Sequence, residues 1–321
     1  MDSELEAFKR DIDLRAYAAE QGYAPERSIL KEKCTSVAME KKGIDKIVVG
    51  LDDDGHYVYF SVRDDTDKGS IIDFIKRRKR LNLGQMRKEL RPWIGRVADP
   101  LLFPKLERTK KDRLAVETSY QRMNVATRHP YLEGRGITAA ILASDRFAGR
   151  IRIDSRGNAI FPHDDQQGLC GYEKKNRNFT GFSTGGEKGL WISHVRDDDA
   201  ALVFGESGID VLSHAILFPD PKARYASIGG QVSPNQPVLI KAAIMSLPAG
   251  AQVIAGMDAD DAGRKLSAMI ARVVEETARQ DLVFREHLPD VPGADWNDIL
   301  RLPARQQRFS FPTAWPVDAA G

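Results

Sequence analysis

Read from its start, the chain places Leu5, Phe8, Ile12 and Ala16 three and four positions apart. That is the apolar stripe of a helix with one buried face, and it predicts an amphipathic helix over 3–21. The apolar period then shortens toward two. KIVVGL at 46–51 and HYVYFSVR at 56–63 flank a DDDG turn at 52–55 and predict two paired strands. Gly69 and Ser70 open a helix, SIIDFIKRRKRL, apolar at its start and basic at its end. Residues 96–112 carry Pro100 and Pro104 among scattered charges and predict a linker.

Between 113 and 198 the pattern predicts helices over 113–123 and 138–145, then short strands near 150–154, 159–163 and 168–173. From 199 the texture changes. Apolar blocks (ALVFG, RYASIGG, AQVIAGMD, LVFREHLP) alternate with helical patterns in SGIDVLSHAILF, near 235–246 and over 261–279. Such alternation marks a parallel sheet covered on both faces. The expected fold class is therefore α/β: a C-terminal parallel sheet flanked by helices, preceded by a mixed α+β region and a small α+β N-terminal domain. The expected boundaries are 1–95, a linker at 96–112, 113–198, 199–303 and a tail at 304–321. No internal repeat or low-complexity tract interrupts this order.

With 42% hydrophobic and 29% charged residues in 321, the chain has room for two or three cores. It holds no run of 18 apolar residues, so no bilayer span and no membrane partner are expected. The opening MDSELEAFKRDID lacks the apolar stretch of a signal peptide. Two distant cysteines, Cys34 and Cys170, exclude a disulfide framework, and a cytoplasmic location is expected.

The net charge of +2 decides nothing, but the signs are segregated. Lys76, Arg77, Arg78, Lys79 and Arg80 run together, and Arg87, Lys88, Arg91 and Arg96 follow, while acids gather in DDD, DAD and DWND. This distribution suits a protein that grips a polyanion in one place and holds cations in another. The plainer reading of the basic run is a solvated helix face.

In an open parallel sheet, functional residues gather at the carboxyl ends of the strands. Glu206 follows ALVFG, Asp258 and Asp260 follow AQVIAGM, and Asp295 and Asp298 lie in GADWNDIL. Carboxylates converging there repel one another unless a cation joins them, and hard oxygen ligands suit Mg²⁺ or Mn²⁺. Plainer roles also exist: Asp261 as a helix N-cap, Asp210 as a partner of a helix dipole, Asp298 facing solvent.

The segments GESGIDVLS, YASIGGQ, GMDADDAGRKL and GADWNDIL resemble the Toprim domain shared by bacterial primases, type IA and type II topoisomerases and OLD-family nucleases. The resemblance spans 199–303 and implies a compact four-stranded parallel α/β fold with Mg²⁺ held by acidic residues. It matches Glu206 to the family's glutamate, an acid/base group, and Asp258 and Asp260 to its Asp-x-Asp pair, with all three expected to hold the metal. Asp295 is a further expected ligand in the element similar to that of primase-like members.

Upstream, HPYLEGRGITAAILASDRFAG and NAIFPHDDQQGLCGYEKKNRNF are similar to the opening of the bacterial primase polymerase region. This implies a basic face for template and nucleotides, with Lys174, Lys175, Arg177 and Lys188 as its candidates. YVYFSVRDDTDKGSIIDFIKRR resembles the end of the primase zinc ribbon, but Ser61 and Asp64 stand where cysteines are expected. Zinc needs four Cys or His ligands at close spacing, so a zinc-less relic is expected, with DNA binding left to the basic 76–96 stretch.

The expected function is primer synthesis on single-stranded DNA from nucleoside triphosphates, by a primase-like nucleotidyltransferase using Mg²⁺ or Mn²⁺. Plasmid or mobile-element replication is its expected setting, with a helicase or relaxase as a further partner. A Toprim nuclease and a non-catalytic DNA-binding accessory protein are the alternatives. A topoisomerase is disfavoured, because no domain remains to carry a nucleophilic tyrosine.

Overall fold

Asp2 and Asp13 each accept backbone N–H bonds at the start of a helix, so the apolar stripe over 3–21 folds as two helices rather than one. These are α1 (Ser3–Asp11) and α2 (Leu14–Glu20), with the chain extended at Ile12 and Asp13 between them. This is seen in a computed structural model that describes residues 2–303 except 27–33, 53, 65, 66, 97, 101 and 178. The expected tail at 304–321 lies outside the described residues. The chain divides into two units, Met1–Lys110 with Asn178–Thr180, and Lys111–Arg177 with the chain from Gly181 onward.

In the first unit, β1 (Ala24–Pro25), β2 (Ser36–Lys41), β3 (Asp45–Leu51), β4 (Tyr57–Ser61) and β5 (Lys68–Ser70) form an antiparallel sheet in sequence order. The predicted strands at 46–51 and 56–63 are β3 and β4, while β2 went unrecognised in the sequence. Helices α3 (Ile71–Lys79) and α4 (Leu83–Leu90) follow, each opened by a capping box, Ser70 with Asp73 and Asn82 with Gln85. Phe8, Tyr17, Met39, Ile47, Phe74 and Leu90 are at most 1% exposed at the centre of this core. The expected linker at 96–112 is a correction. Phe103 and Leu106 are buried in this same core, the Pro104 carbonyl accepts a bond from Arg15 at 2.6 Å, and the Glu107 N–H donates to the Cys34 carbonyl. Proline there shapes a packed strap rather than a free connection.

The second unit begins with α5 (Arg113–Gln121), β6 (Asn124–Val125), α6 (Pro130–Glu133), α7 (Ala139–Leu142), β7 (Arg152–Ile153), β8 (Ala159–Asp165), β9 (Gly168–Asn176) and β10 (Phe179–Phe182). A sheet of order β10-β9-β8-β7-β6 joins these strands. Then come β11 (Trp191–Ile192), β12 (Ala201–Gly205), α8 (Gly208–Leu217), β13 (Ala223–Ser227), α9 (Gln236–Met245), β14 (Gln252–Ala255), α10 (Asp261–Glu276), β15 (Val283–Glu286) and α11 (Trp296–Arg301).

The last sheet has the order β11-β13-β12-β14-β15. Its β12–β13, β12–β14 and β14–β15 pairings are parallel, and β11 joins β13 antiparallel. The expected four-stranded parallel sheet is present, with a fifth edge strand contributed from upstream of 199. Strand β12 is buried on both faces, as its unbroken apolar run demands. Ala201 and Val203 pack toward α8 and the upstream residues Leu132, Phe161 and Trp191; Leu202 and Phe204 pack toward α9 and α10. The expected boundary at 198–199 therefore crosses one continuous core. A buried ion triad lies on it, with Asp199 paired to Arg146 at 2.8 Å and accepting from Arg224 at 2.9 Å. Among the described residues no helix is long and apolar enough to cross a membrane.

Candidate metal centre

Five carboxylates stand where strands end and helices begin along the carboxyl edge of the parallel sheet. Glu206 leaves β12 directly, and its backbone carbonyl accepts the N–H groups of Gly229 at 2.8 Å and Gly230 at 2.9 Å. Those glycines follow β13 at positive φ, and a side chain at Gly229 would bring its Cβ to 2.7 Å from the His163 ring. The turn in YASIGGQ thus closes over the backbone that carries Glu206.

Asp210 lies in the first turn of α8, buried, and accepts the Ser207 hydroxyl at 2.6 Å. Asp258 leaves β14 half-buried, and its Oδ1 is enclosed with no hydrogen-bond partner among the described residues. Asp260 is exposed and caps α10, accepting the Gly263 N–H at 2.7 Å. Asp295 caps α11 in a capping box with Asp298, whose N–H it accepts at 2.6 Å. Asn297 of the same motif is structural: its amide donates to the Arg135 carbonyl at 2.8 Å and the Ser213 hydroxyl at 3.0 Å, fixing α11 against α8.

The charges of these groups are felt at Asp258 and Asp210, although among the described residues no three of the five bring ligand oxygens within 4.8 Å of one another. Burial first, and then the charges of Asp210, Glu206, Asp295 and Asp260, push the Asp258 carboxyl up to about 9. Burial followed by the Asp295 charge pushes Asp210 up to about 6, and burial also raises Asp295. An enclosed carboxylate oxygen without a donor among the described residues, beside two further acids raised chiefly by burial, suits a divalent cation. The donors are all hard oxygens, which fits Mg²⁺ or Mn²⁺.

One sequence reading is corrected here and another extended. The cap of α10 is Asp260, whereas Asp261 is an exposed first-turn residue. Asp210 does lie in the first turn of α8, as the helix-dipole reading has it, and is also buried beside the other acids. Its spacing of four from Glu206 across the strand–helix turn was the signal available.

The four candidate basic residues upstream divide. On β9, Lys175 lies opposite Ala159 and Glu173 opposite Phe161, so alternation places both side chains on one face. Lys175 pairs with Glu173 at 3.0 Å, and both charges are felt at Asp210. Lys188 donates to the Gly229 and Gln231 carbonyls at 2.9 Å each, against the turn that covers Glu206. Lys174 points to the opposite face, 5.5 Å from the Tyr172 ring centroid, and Arg177 is exposed beyond the end of β9.

In the first unit the basic run is less available than its sequence implies. Arg78 is bound by Asp45 at 2.5 Å, Asp67 at 2.7 Å and the Tyr23 hydroxyl at 2.8 Å, with its guanidinium 4.1 Å from the Phe74 ring. Its expected role at a nucleic-acid surface is corrected to an internal one. Arg77 pairs with Asp64 at 2.9 Å and Lys79 with Glu89. Lys76 and Arg80 are exposed. Ser61, at an expected cysteine position, is buried and donates to Asp45 at 3.2 Å.

This sheet, with acids along its carboxyl edge, belongs to a Toprim-like domain. Residues 203–300 match the family model described as Toprim-like, and residues 130–199 match one described as a protein of unknown function (DUF3991). No curated protein matches the chain. Among solved structures it is similar to the primase fragment of the bacteriophage T7 primase-helicase protein, at 19% identity and TM-score 0.35, over 54% of this chain and 69% of that one. It is similar too to a bacteriophage T7 lagging-strand polymerase structure with primase domains bound to an RNA/DNA hybrid and dTTP, at 21% identity, TM-score 0.33, covering 52% and 83%. The RNA polymerase domain of Mycobacterium tuberculosis primase DnaG is similar at 15% identity and TM-score 0.29, covering 52% and 60%.

Proposed function

We propose that this chain is a primase-like nucleotidyltransferase that makes short primers on single-stranded DNA from nucleoside triphosphates. The observation that carries the reading is Asp258, an enclosed carboxylate among four other acids at the edge of a Toprim-like sheet. Asp258, Asp260, Asp210 and Asp295 would hold Mg²⁺ or Mn²⁺, and Glu206, at the mouth of β12, would take the proton of the attacking hydroxyl. The cation, when bound, offsets the charge of the phosphates and of the reacting oxygens. Lys188, bonded to the turn over Glu206, and Lys175, whose charge is felt at Asp210, would offer triphosphate oxygens positive partners. Plasmid or mobile-element replication, beside a helicase or relaxase, is the setting this reading implies.

The test is to incubate the protein with circular single-stranded DNA, labelled nucleoside triphosphates and Mg²⁺ or Mn²⁺, scoring new oligonucleotides and nicks together. Oligonucleotides that vanish in Glu206→Gln support the reading. Nicks without synthesis favour a nuclease, and binding with neither product favours an accessory protein.

A further inference from the structure

Glu173 stands on the inward face of β9 with its side chain only 6% exposed, an environment costly for a carboxylate. One oxygen is held by Lys175 at 3.0 Å; Oε2 is enclosed and has no hydrogen-bond partner among the described residues. The strand cannot slide to relieve this. Phe161, directly across from Glu173, packs so closely on the first turn of α8 that a Cβ on Gly208 would lie 2.3 Å from its ring. The same turn carries Asp210, which feels Lys175 as an opposite charge and Glu173 as a like one. A buried carboxylate therefore sits near the acidic centre, and among the described residues its one ion pair is with Lys175.

We propose that Glu173 is a positioning residue, which holds the Lys175 ammonium at the acidic centre so that it meets the phosphates of a bound nucleoside triphosphate. The inference rests on the nucleotidyl-transfer reading above. A lysine has four rotatable bonds, and unguided it would spread its charge over many positions. A carboxylate on the same strand face removes that freedom, as a lysine–glutamate ion pair does in protein kinases. Glu173 never touches substrate; it acts through Lys175.

Glu173→Gln keeps the shape and removes the charge, Glu173→Asp keeps the charge on a shorter stem, and Lys175→Met removes the partner. Binding of a fluorescent nucleoside triphosphate in Mn²⁺ should weaken roughly tenfold in Glu173→Gln and in Lys175→Met, the scale of one charge-assisted hydrogen bond. The double variant should bind no worse than Lys175→Met, and in primer synthesis the loss in Glu173→Gln should appear in KM rather than kcat. Glu173→Asp should fall between Glu173→Gln and the parent. Wild-type triphosphate affinity in Glu173→Gln, or losses that add in the double variant, would overturn the inference while leaving the nucleotidyl-transfer reading intact. If the parent binds triphosphate and loses it in this pattern but makes no oligonucleotide, the positioning role stands and the transfer reading falls. A parent that binds no triphosphate overturns the positioning role outright.

Discussion

Asp258 has a proton to lose that an unfolded chain gives up far more easily. Its carboxyl sits at about 9 in the fold against an ordinary 3.8, so between those values the native state holds a proton that the unfolded state has released. The stability tied to this group is therefore intact in acid and lost as pH rises toward 9, when no metal is present. Asp258→Asn removes the loss. Without metal it should melt at or above the parent at pH 8, and the gap should close toward pH 4. Mn²⁺ must displace the same proton, so the parent's affinity for Mn²⁺ should climb from pH 6 to 9, more steeply than that of Asp258→Asn. Primer synthesis in the variant should drop by about 10²–10⁴, the usual span for an acid/base or ligand group. Thermal melts and metal titrations across pH check all of this together. A variant that melts well below the parent and keeps its activity would make Asp258 a structural cap.

At the scale of elements, α3 shows how a charge run misleads when read alone. KRRKR is basic at every position, yet the helix turns Arg78 onto β3 and the chain beside β5, where Asp45 and Asp67 bind it, and leaves Lys76 and Arg80 outside. The positions should separate on substitution. Arg78→Met strands the buried Asp67 and the half-buried Asp45 and should cost the first unit about 3 kcal/mol in a denaturant melt. Lys76→Gln with Arg80→Gln should leave stability unchanged and flatten the salt dependence of single-strand binding by about 0.7 per lost phosphate contact. An unchanged slope would make the outer cations a solvated face only. The strap at 103–107 teaches a similar lesson, since Phe103 and Leu106 lay among prolines and charges and showed no period to read.

For the molecule as a whole, two units with separate cores imply unfolding that is not two-state. If the acidic centre holds Mg²⁺, as the proposed function has it, the cation should raise only the transition seen through Trp191 and Trp296. Arg78→Met should lower only the one seen through Trp93. Differential scanning calorimetry beside tryptophan fluorescence checks this, and one shared transition moved by both changes would refute it.

The sequence by itself determined the parallel sheet, because ALVFG and AQVIAGM are apolar throughout and only a strand covered on both faces needs that. It determined too that Glu206 and Asp258 fall at strand ends, since each follows such a block directly, while Asp295 lies nine residues beyond the end of β15. Tertiary structure alone decided the rest. Burial, which no local pattern records, turned Asp210 from a helix-end charge into part of the centre. Cross-strand register set Glu173 and Lys175 facing Asp210 and turned Lys174 away. Long-range ion pairs took Arg78 inside, because the acids that bind it lie 33 and 11 residues distant along the chain.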